Sequence, residues 1–303
     1  MAWKAVDLFC GCGGLSLGLM EAGIEVVAGF DLWGPALAVH RANLPHPAVE
    51  ADLSDVDAAV AAIRPMRPDL VAGGPPCTDF STAGKRVEGE RADLTRSFAR
   101  TVVGVRPRAF LMENVAAALK SRAYADARTV LKGAGYGLTE RVLDASRCGV
   151  PQARRRLFCV GLLGVGDGFM DDGIDSALSA RPMTVREALG DLGAEHYYRH
   201  PRNYRRRAVF SVDEPSPTVR GVNRPVPPGY PDNPLDPVPA RTVSALPFEA
   251  RARIQTFPEG FDWSPAGSVT ACERMVGNAV PVRLARFVAE RLLEAAGTLR
   301  IAA

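Results

Sequence analysis

Strand-like and helix-like segments alternate along the first 165 or so residues of this 303-residue chain. Short apolar runs such as KAVDLF, IEVVAGFD and RAFLMENV have the length and composition of buried strands. Segments such as LSLGLMEAG, DAAVAAI and SFARTVVGV have the pattern of helices. Because parallel strands need helix-length connections, this order predicts an α/β fold with a mainly parallel, doubly wound sheet. LTERVLDA and RRLFCVGLL are the last two strands predicted in the series.

The alternation stops after about residue 165. GVGDGFMDDGIDSALSARP has the composition of a polar linker, and a short helix is predicted at TVREAL. Ten of the 24 prolines lie from Pro201 to Pro239, a stretch with almost no periodicity, which predicts a smaller, loop-rich, mostly-β domain. Helical patterns return in PFEARARIQTF and in the amphipathic VRLARFVAERLLEAAG near the end of the chain.

Composition excludes several classes of protein. The apolar fraction of 47% and the charged fraction of 23% are ordinary for a globular protein, and no apolar run is long enough to span a bilayer. The chain begins without a basic-then-apolar signal segment, so we expect a cytoplasmic protein without membrane contact. The six cysteines contain no C-x-x-C pair, so we expect no disulfide framework and no metal site.

A glycine cluster connects the first predicted strand to the first predicted helix. In DLFCGCGGLSLGL, Gly11, Gly13 and Gly14 let the backbone approach a ligand at a helix N-terminus, which is typical of a nucleotide site. Asp31, about 20 residues on at the end of the second strand, suits ribose hydroxyls, and Asp52 suits an adenine amino group. The Gly-x-Gly-Gly spacing differs from the dinucleotide fingerprint, so the pattern alone leaves the cofactor open, and a tight turn without a ligand is the alternative.

A thiol and a carboxylate follow two other predicted strands. Cys77, in GGPPCTDFSTAG, comes after the strand DLVAGG on a loop that two prolines stiffen, and Glu113 and Asn114 end AFLMENV. Because ligands bind at the carboxyl ends of parallel strands, these groups and the glycine loop are expected to line one crevice. A carboxylate that only caps the next segment is the alternative for Glu113.

Three polar residues alternate in CGVPQARRRLF. Gln152, Arg154 and Arg156 share a face of an extended segment, and two neighbouring guanidinium groups suit an anion such as phosphate. A solvated basic edge strand is the alternative.

These motifs together resemble the cytosine-5 DNA methyltransferase family, in the family's order and over nearly the whole chain. DLFCGCGG resembles its S-adenosylmethionine loop, GGPPC with FSTAG its cysteine motif, and RPRAFLMENV its Glu-Asn-Val motif. PQARRR, EARARIQTFPEGF and MVGNAVPVRLA resemble the three later motifs. Any one of these matches could arise by chance, but the ordered series is highly specific.

The resemblance implies a doubly wound, Rossmann-like methyltransferase domain in residues 1–178 and 265–303, a target recognition domain in 179–245 and a hinge segment in 246–264. It implies Cys77 as nucleophile, Glu113 as the group that grips the cytosine edge, and Arg154 and Arg156 as binders of base or phosphate. The cofactor, S-adenosyl-L-methionine, would be held by residues of the glycine loop, the strand ends and the closing motif: Asp7, Phe9, Gly11, Gly13, Gly14, Asp31, Asp52, Pro76 and Asn278. Asn278 would also steady the sheet edge, and Asn114 and Gln152 would contact the substrate.

The implied substrate is a cytosine that is turned out of double-stranded DNA, because the chemistry at its ring cannot proceed inside a stacked duplex. We expect a monomer, with a restriction endonuclease that acts separately as a partner in function. Thr78 stands where the family usually has Gln, and Asp79 follows it, which bears on how that loop would close over DNA.

Other functions remain open at this point. A relative that methylates tRNA would lack the arginine- and proline-rich insert, and a non-catalytic DNA-binding relative would not need Cys77 and Glu113. A nicotinamide oxidoreductase would explain the glycine loop alone.

Overall fold

The computed structural model describes residues 2–76 and 90–301 of the chain. Cys77, Thr78 and Asp79 lie outside the described residues. The strands run, in chain order, β1 Lys4–Leu8, β2 Glu25–Asp31, β3 Ala48–Glu50, β4 Leu70–Gly73, β5 Ala109–Val115, β6 Tyr136–Asp144, β7 Gln152–Ala153, β8 Arg155–Leu163, β9 His196–Tyr198, β10 Val209–Ser211 and β11 Ser216–Pro217.

The α-helices are α1 Gly14–Glu21, α2 Gly34–Asn43, α3 Val56–Ile63, α4 Glu90–Val105, α5 Arg122–Gly133, α6 Asp171–Ala177, α7 Val185–Leu189, α8 Phe248–Ile254, α9 Val269–Asn278 and α10 Val282–Ile301. Short 3₁₀ turns lie at Arg64–Met66, Ala116–Lys120, Ala145–Arg147, Ala240–Thr242 and Ser264–Ala266. None of the helices in the described part of the chain is both long and apolar enough to cross a membrane.

A seven-stranded sheet of order β3-β2-β1-β4-β5-β8-β6 is the centre of the described structure. β1 to β5 pair in parallel, whereas β8 is antiparallel to both β5 and β6. The strands are apolar on both faces: Ala5 and Leu70 belong to one core cluster, and Val6 and Val71 to the other. This confirms the prediction of an α/β, doubly wound and mainly parallel sheet.

Helices cover the two faces. On one face α1 and α10 pack so closely that a Cβ on Gly18 would lie 2.4 Å from the carbonyl oxygen of Val282. On the other face α3, α4 and α5 bury residues such as Ile63, Phe98 and Leu131. The carboxyl ends of β1, β4 and β5 therefore share one edge of a closed three-layer structure.

One predicted linker is a packed element. Within GVGDGFMDDGIDSALSARP, residues Asp171–Ala177 form α6, and Met170 and Ile174 are buried in the same core cluster as α10. The prediction of a polar linker was wrong because two apolar residues four positions apart are enough to anchor one helical turn on a neighbouring helix. The short helix predicted at TVREAL is present as α7, with a capping box between Thr184 and Glu187.

Residues 179–245 contain α7, three short strands and the 3₁₀ turn Ala240–Thr242, and the rest of their backbone is irregular. β9 and β10 pair antiparallel, and β11 pairs with β7 next to the main sheet. A small core of Tyr198, Ala208, Val209 and Ala240 lies within this region. The division at residues 179, 245 and 265 into domains and a hinge stays a prediction.

Candidate active site and cofactor loop

The loop between β1 and α1 is closed on one side and open on the other. Phe9, Gly11 and Gly13 all have positive φ, of 60°, 53° and 98°. A Cβ on Gly13 would lie 2.4 Å from Leu44 Cδ1, whereas a Cβ on Gly11 would meet nothing within 4 Å. A non-glycine residue at φ near 60° is unusual, and such strain is characteristic of ligand-binding loops. The open side at Gly11 is where a ligand can approach the backbone.

Helix α1 begins directly under this loop. Its N-cap, Gly13, has no side chain to accept a hydrogen bond, so the first-turn N–H groups lack a side-chain cap. A Cβ on Gly14 would lie 2.5 Å from the carbonyl oxygen of Val280, so glycine is required for the helix to start at this place. A helix N-terminus that follows the open side of the loop at Gly11 suits a polar ligand.

Asp31 braces the open side of the loop. Its two carboxylate oxygens accept hydrogen bonds from the backbone N–H groups of Gly11 and Trp33, each at 2.8 Å. Each oxygen keeps a further lone pair that a ribose hydroxyl could use. The next residue, Leu32, is 62% exposed, and an exposed apolar side chain beside an acid suits the flat face of a purine.

Asp52, the acid predicted for the adenine amino group, is exposed, and its Oδ1 accepts a hydrogen bond from the Ser54 N–H at 2.9 Å. Hydrogen bonds from the Ser54 side chain and backbone hold the pKa of Asp52 below its usual value. The open loop, the helix terminus and the two acids are together the features that S-adenosylmethionine would need. Leu32 was not singled out from the sequence, because only its exposure in the folded chain distinguishes it from core leucines.

Asp7 lies beneath the loop, fully buried, and accepts a hydrogen bond from the Ser16 hydroxyl at 2.7 Å. Burial raises the pKa of this carboxyl to about 7, although the Ser16 hydrogen bonds act in the opposite direction. This hydrogen bond ties β1 to α1, and the predicted role of Asp7 at the cofactor stays a prediction.

The segment that leads to Cys77 starts against the tip of β5. The Asn114 side-chain amide donates to the carbonyl oxygen of Pro75 at 3.4 Å. A Cβ on Gly74 would lie 3.3 Å from Glu113 Oε2, so glycine keeps this approach free. Pro76, half-buried, is the last described residue before Cys77. The structure therefore brings Glu113, Asn114 and the start of the cysteine loop together, as the sequence predicted.

Glu113 and Arg156 form an ion pair across β5 and β8. Arg156 Nε lies 3.0 Å from Glu113 Oε1, and both side chains are largely withdrawn from water. Burial raises the pKa of Glu113 above its ordinary value, although the neighbouring guanidinium groups of Arg156 and Arg154 act in the opposite direction. A carboxyl in this balance is suited to hold or release a proton when a ligand covers it.

Arg154 has a different environment from the one predicted. It is 2% exposed, and its guanidinium donates to the carbonyl oxygens of Val219, Gly277 and Ala279. Gln152, Arg154 and Arg156 were predicted to share a face, but Arg154 is buried against backbone carbonyl groups. Its predicted role toward base or phosphate stays a prediction. Buried carbonyl groups distant in sequence need donors, and this arginine supplies them.

Gln152 is also fully buried and belongs to the same polar network. Its Oε1 accepts from the Val219 N–H at 2.9 Å, and its Nε2 donates to Gln255 Oε1 at 2.6 Å. Gln255 in turn donates to the carbonyl oxygens of Val276 and Ala279. Both polar atoms of the Gln152 side chain are thus engaged within the protein, and its predicted contact with the substrate stays a prediction. Gln255 lies within the motif EARARIQTFPEGF but was not singled out from the sequence.

Asn278 is exposed at the last position of α9. The preceding Gly277 is in close contact with residues 179–245, which we call the insert, because a Cβ on Gly277 would lie 2.0 Å from the backbone nitrogen of Gly221. The predicted roles of Asn278, at the cofactor and at the sheet edge, stay predictions.

The comparisons with known proteins agree with this geometry. The family model described as C-5 cytosine-specific DNA methylase matches residues 3–205 and 203–294. Type II methyltransferase M.HindV of Haemophilus influenzae is 50% identical over 294 residues, 96% of each chain. Type II methyltransferase M.HgiDI of Herpetosiphon aurantiacus is 47% identical over 95% of this chain and 94% of its own.

A solved structure shares the fold. The S. pombe Dnmt2 methyltransferase superposes with a TM-score of 0.72 over 97% of this chain and 99% of its own, at 18% identity. The family match spans almost the entire chain, and the glycine loop, the cysteine segment and the Glu113 strand end fall within it. The chain therefore belongs to the C-5 cytosine-specific DNA methylase family and is a DNA (cytosine-5-)-methyltransferase.

Proposed function

We propose that the protein transfers a methyl group from S-adenosyl-L-methionine to carbon 5 of a cytosine turned out of a specific duplex DNA sequence, through a transient covalent bond to Cys77. The observation that carries this proposal is the buried Glu113–Arg156 pair beside the start of the cysteine loop. A target base that enters this crevice meets a carboxyl group whose pKa is already raised by burial.

Carbon 5 of cytosine is a weak nucleophile, so direct methyl transfer to it is slow. Addition of the Cys77 thiolate to carbon 6 moves electron density to carbon 5, which can then attack an electrophilic methyl group. Loss of the carbon 5 proton and release of the thiol restore the aromatic ring. S-adenosylmethionine, when bound, supplies that methyl group as a sulfonium.

Glu113 holds the base and balances charge in this scheme. Attack at carbon 6 builds negative charge on the ring, and a protonated Glu113 at ring nitrogen 3 would donate a hydrogen bond to it. Arg156, 3.0 Å from the carboxyl, fixes its orientation and limits the rise of its pKa. Arg154 and Gln152 act as positioning residues, because their polar groups are engaged with the backbone and with Gln255.

The residues suited to hold the cofactor are on the glycine loop and the two following strand ends. Phe9 and the α1 N-terminus offer backbone groups to it, the open side at Gly11 gives it room, and Asp31 offers lone pairs for the ribose. Asp52 and Leu32 would flank the adenine.

The names of the two full-length relatives support a narrower assignment. Both are called type II methyltransferases. We propose that this chain also acts as a monomer that marks DNA in a restriction-modification pair, with the endonuclease as a separate protein.

The direct test is incubation with labelled S-adenosylmethionine and either mixed-sequence duplex DNA or tRNA, followed by location of the modified base. Label on carbon 5 of duplex cytosine is the expected result. Label on tRNA alone would replace DNA by tRNA as the substrate.

The covalent step has its own test. Duplex DNA with 5-fluorocytosine at the target position is expected to become attached to the protein in the presence of the methyl donor, since carbon 5 then has no proton to lose. Cys77→Ala should abolish both attachment and methyl transfer while duplex DNA is still bound. Undiminished transfer in that variant would end the assignment of Cys77.

A further inference from the structure

A cleft of about 270 Å³ is lined in part by Val219, whose backbone bonds to Arg154 and Gln152. Its walls are the β9 end, the segment from Ser216 to Arg224, and α8, which contributes Arg251 and Ile254. The cleft is concave, and it is distinct from the crevice at the carboxyl ends of β1, β4 and β5.

Positive charge dominates the lining. Among the described residues of its wall there is no aspartate or glutamate. His200 and five arginines line the cleft, the arginines being Arg199, Arg202, Arg220, Arg224 and Arg251. Glu273 compensates Arg251 from behind, through a buried ion pair. Arg199 donates to the carbonyl oxygen of Thr218, and Arg220 donates to that of His200. Because these acceptors are neutral, the contacts fix the guanidinium groups without cancelling their charge.

The lining groups repel one another. Burial lowers the pKa of Arg199 to about 10, and the charges of Arg220 and Arg202 add to that effect. Burial and the nearby Arg202 and Arg206 lower the pKa of Arg220 as well. An arrangement in which arginines are crowded, oriented and partly desolvated is costly for the empty protein and becomes favourable when an anion enters.

We propose that this cleft binds a backbone phosphate of duplex DNA, an inference that rests on the proposed action on DNA. Guanidinium forks match the oxygens of a phosphodiester in a bidentate manner. Base edges in a stacked duplex lie within the grooves and are read by elements that protrude into them. Phosphates protrude from the duplex, so a concave site lined by arginines fits a phosphate better than a base edge.

The position of the cleft gives the contact a consequence. Val219, which precedes Arg220, accepts a hydrogen bond from Arg154 and donates one to Gln152. Gln152 and Arg154 are on the segment that continues into Arg156. A phosphate bound at Arg220 therefore sets the distance between the duplex backbone and the Glu113 crevice. The site aligns DNA for methyl transfer and reads no sequence.

The test measures the affinity for duplex DNA without methyl donor at salt concentrations from about 50 to 200 mM, a range over which phosphate contacts change the affinity strongly. Two duplexes are compared, one with a mapped methylation site and one without. The variants are Arg220→Gln and the more exposed Arg224→Gln. Arg286→Gln on α10, which removes the same charge far from the cleft, is the matched control.

Loss of one phosphate contact should make the slope of log K against log salt less negative by about 0.9, by the same amount for both duplexes. The control should keep the slope of the original protein. Slopes of both cleft variants equal to that of the control would overturn the proposal. So would a loss confined to the duplex with the methylation site, because that pattern identifies a base-reading residue.

The two proposals fail in different ways. If the original protein binds DNA with a slope that the cleft variants reduce, yet never transfers a methyl group, the phosphate site stands and the proposed catalysis fails. If methyl transfer occurs and the slopes are unchanged, the catalysis stands and the phosphate site fails.

Discussion

At Glu113, burial and neighbouring charge act on the pKa of the carboxyl group in opposite directions. Desolvation favours its neutral form, and Arg156 at 3.0 Å favours its anion. A base that displaces the remaining water from this site would strengthen both effects, since electrostatic interactions grow as the dielectric falls. The carboxyl is thus suited to change protonation state during a catalytic cycle.

Glu113→Gln should leave the fold intact and lower the rate of methyl transfer by about 10² or more, the scale of a lost general-acid contribution. The amide keeps the size and one acceptor of the carboxyl but cannot deliver a proton. Single-turnover kinetics with saturating DNA and cofactor measure this effect. The matched control is Glu140→Gln. Glu140 is on the outer strand β6, and its carboxylate forms an ion pair with Arg128 of α5. Equal rates for the two variants would contradict the role of Glu113.

Asp7 gives a prediction about pH. Its pKa is about 7 in the folded protein and 3.8 in the unfolded reference, so between these values the folded state binds more protons. Stability from this group is complete below pH 3.8 and is lost as the pH rises through 7. Asp7→Asn removes the titration, so its free energy of unfolding relative to the original protein should rise by about 4 kcal/mol from pH 4 to pH 8. Urea unfolding curves across that range measure this, and parallel pH profiles would refute it.

Residue-level sequence reasoning worked where a side chain acts at the end of its own strand. Glu113 and Asn114 were placed correctly because β5 and its neighbours run in parallel to one edge. The burial of Arg154 was not evident from the sequence because its acceptors on Val219 and Gly277 are more than 60 residues away in the chain. Alternation along an extended segment gives the face of a residue, but the burial of that face depends on what packs on it.

At the scale of elements, β11 of the insert pairs with β7, which directly precedes β8 in the chain. In the described structure this pairing has two positions, Ser216 with Gln152 and Pro217 with Ala153. Such a short pairing is weak by itself, so the buried side-chain network around it has to supply the remaining stability. The donors of this network are Gln152, Arg154 and Gln255.

Arg154→Lys should destabilise the protein by roughly 2 kcal/mol, because a single ammonium group cannot reach the three carbonyl groups that the guanidinium fork satisfies. The neighbouring Arg155 is exposed and gives the matched control Arg155→Lys, which should change stability by less than about 0.5 kcal/mol. Denaturant unfolding at one pH compares them. The network would have no structural role if both substitutions had the same small effect.

The antiparallel strand β8 is the element that the sequence described least well. The turn Ala145–Arg147 and a few following residues separate β6 from β7 and β8, which is too short for a parallel crossover. Connection length therefore points to an antiparallel pair of β6 and β8. The position of β8 between β5 and β6 depends on which edge of the sheet is free when β8 pairs, and the sequence of β8 itself does not show that.

For the molecule as a whole, the decisive contact is the one between α9 and the insert. The main sheet and its helix layers were predictable because each strand and helix carries its own periodicity, whereas this contact joins the last turn of α9 to irregular backbone of residues 179–245. Its only sequence trace is Gly277, whose Cβ would lie 2.0 Å from Gly221 N and 2.3 Å from the carbonyl carbon of Arg220. Glycine is required there because backbone meets backbone and neither side has a flexible group that can move away.

Gly277→Ala tests whether this contact couples the insert to catalysis. The added methyl group must push the segment around Arg220 away, at a cost of roughly 1–3 kcal/mol, and should lower methyl transfer to DNA more than it lowers cofactor affinity. The glycine loop is formed by other elements, so S-adenosylmethionine should still raise the unfolding midpoint of the variant. Gly133→Ala, where a Cβ meets nothing within 4 Å, is the matched control and should retain both properties. Parallel loss of cofactor binding and transfer in Gly277→Ala would mean that the contact supports the whole fold, and the insert would then have no separate influence on the reaction.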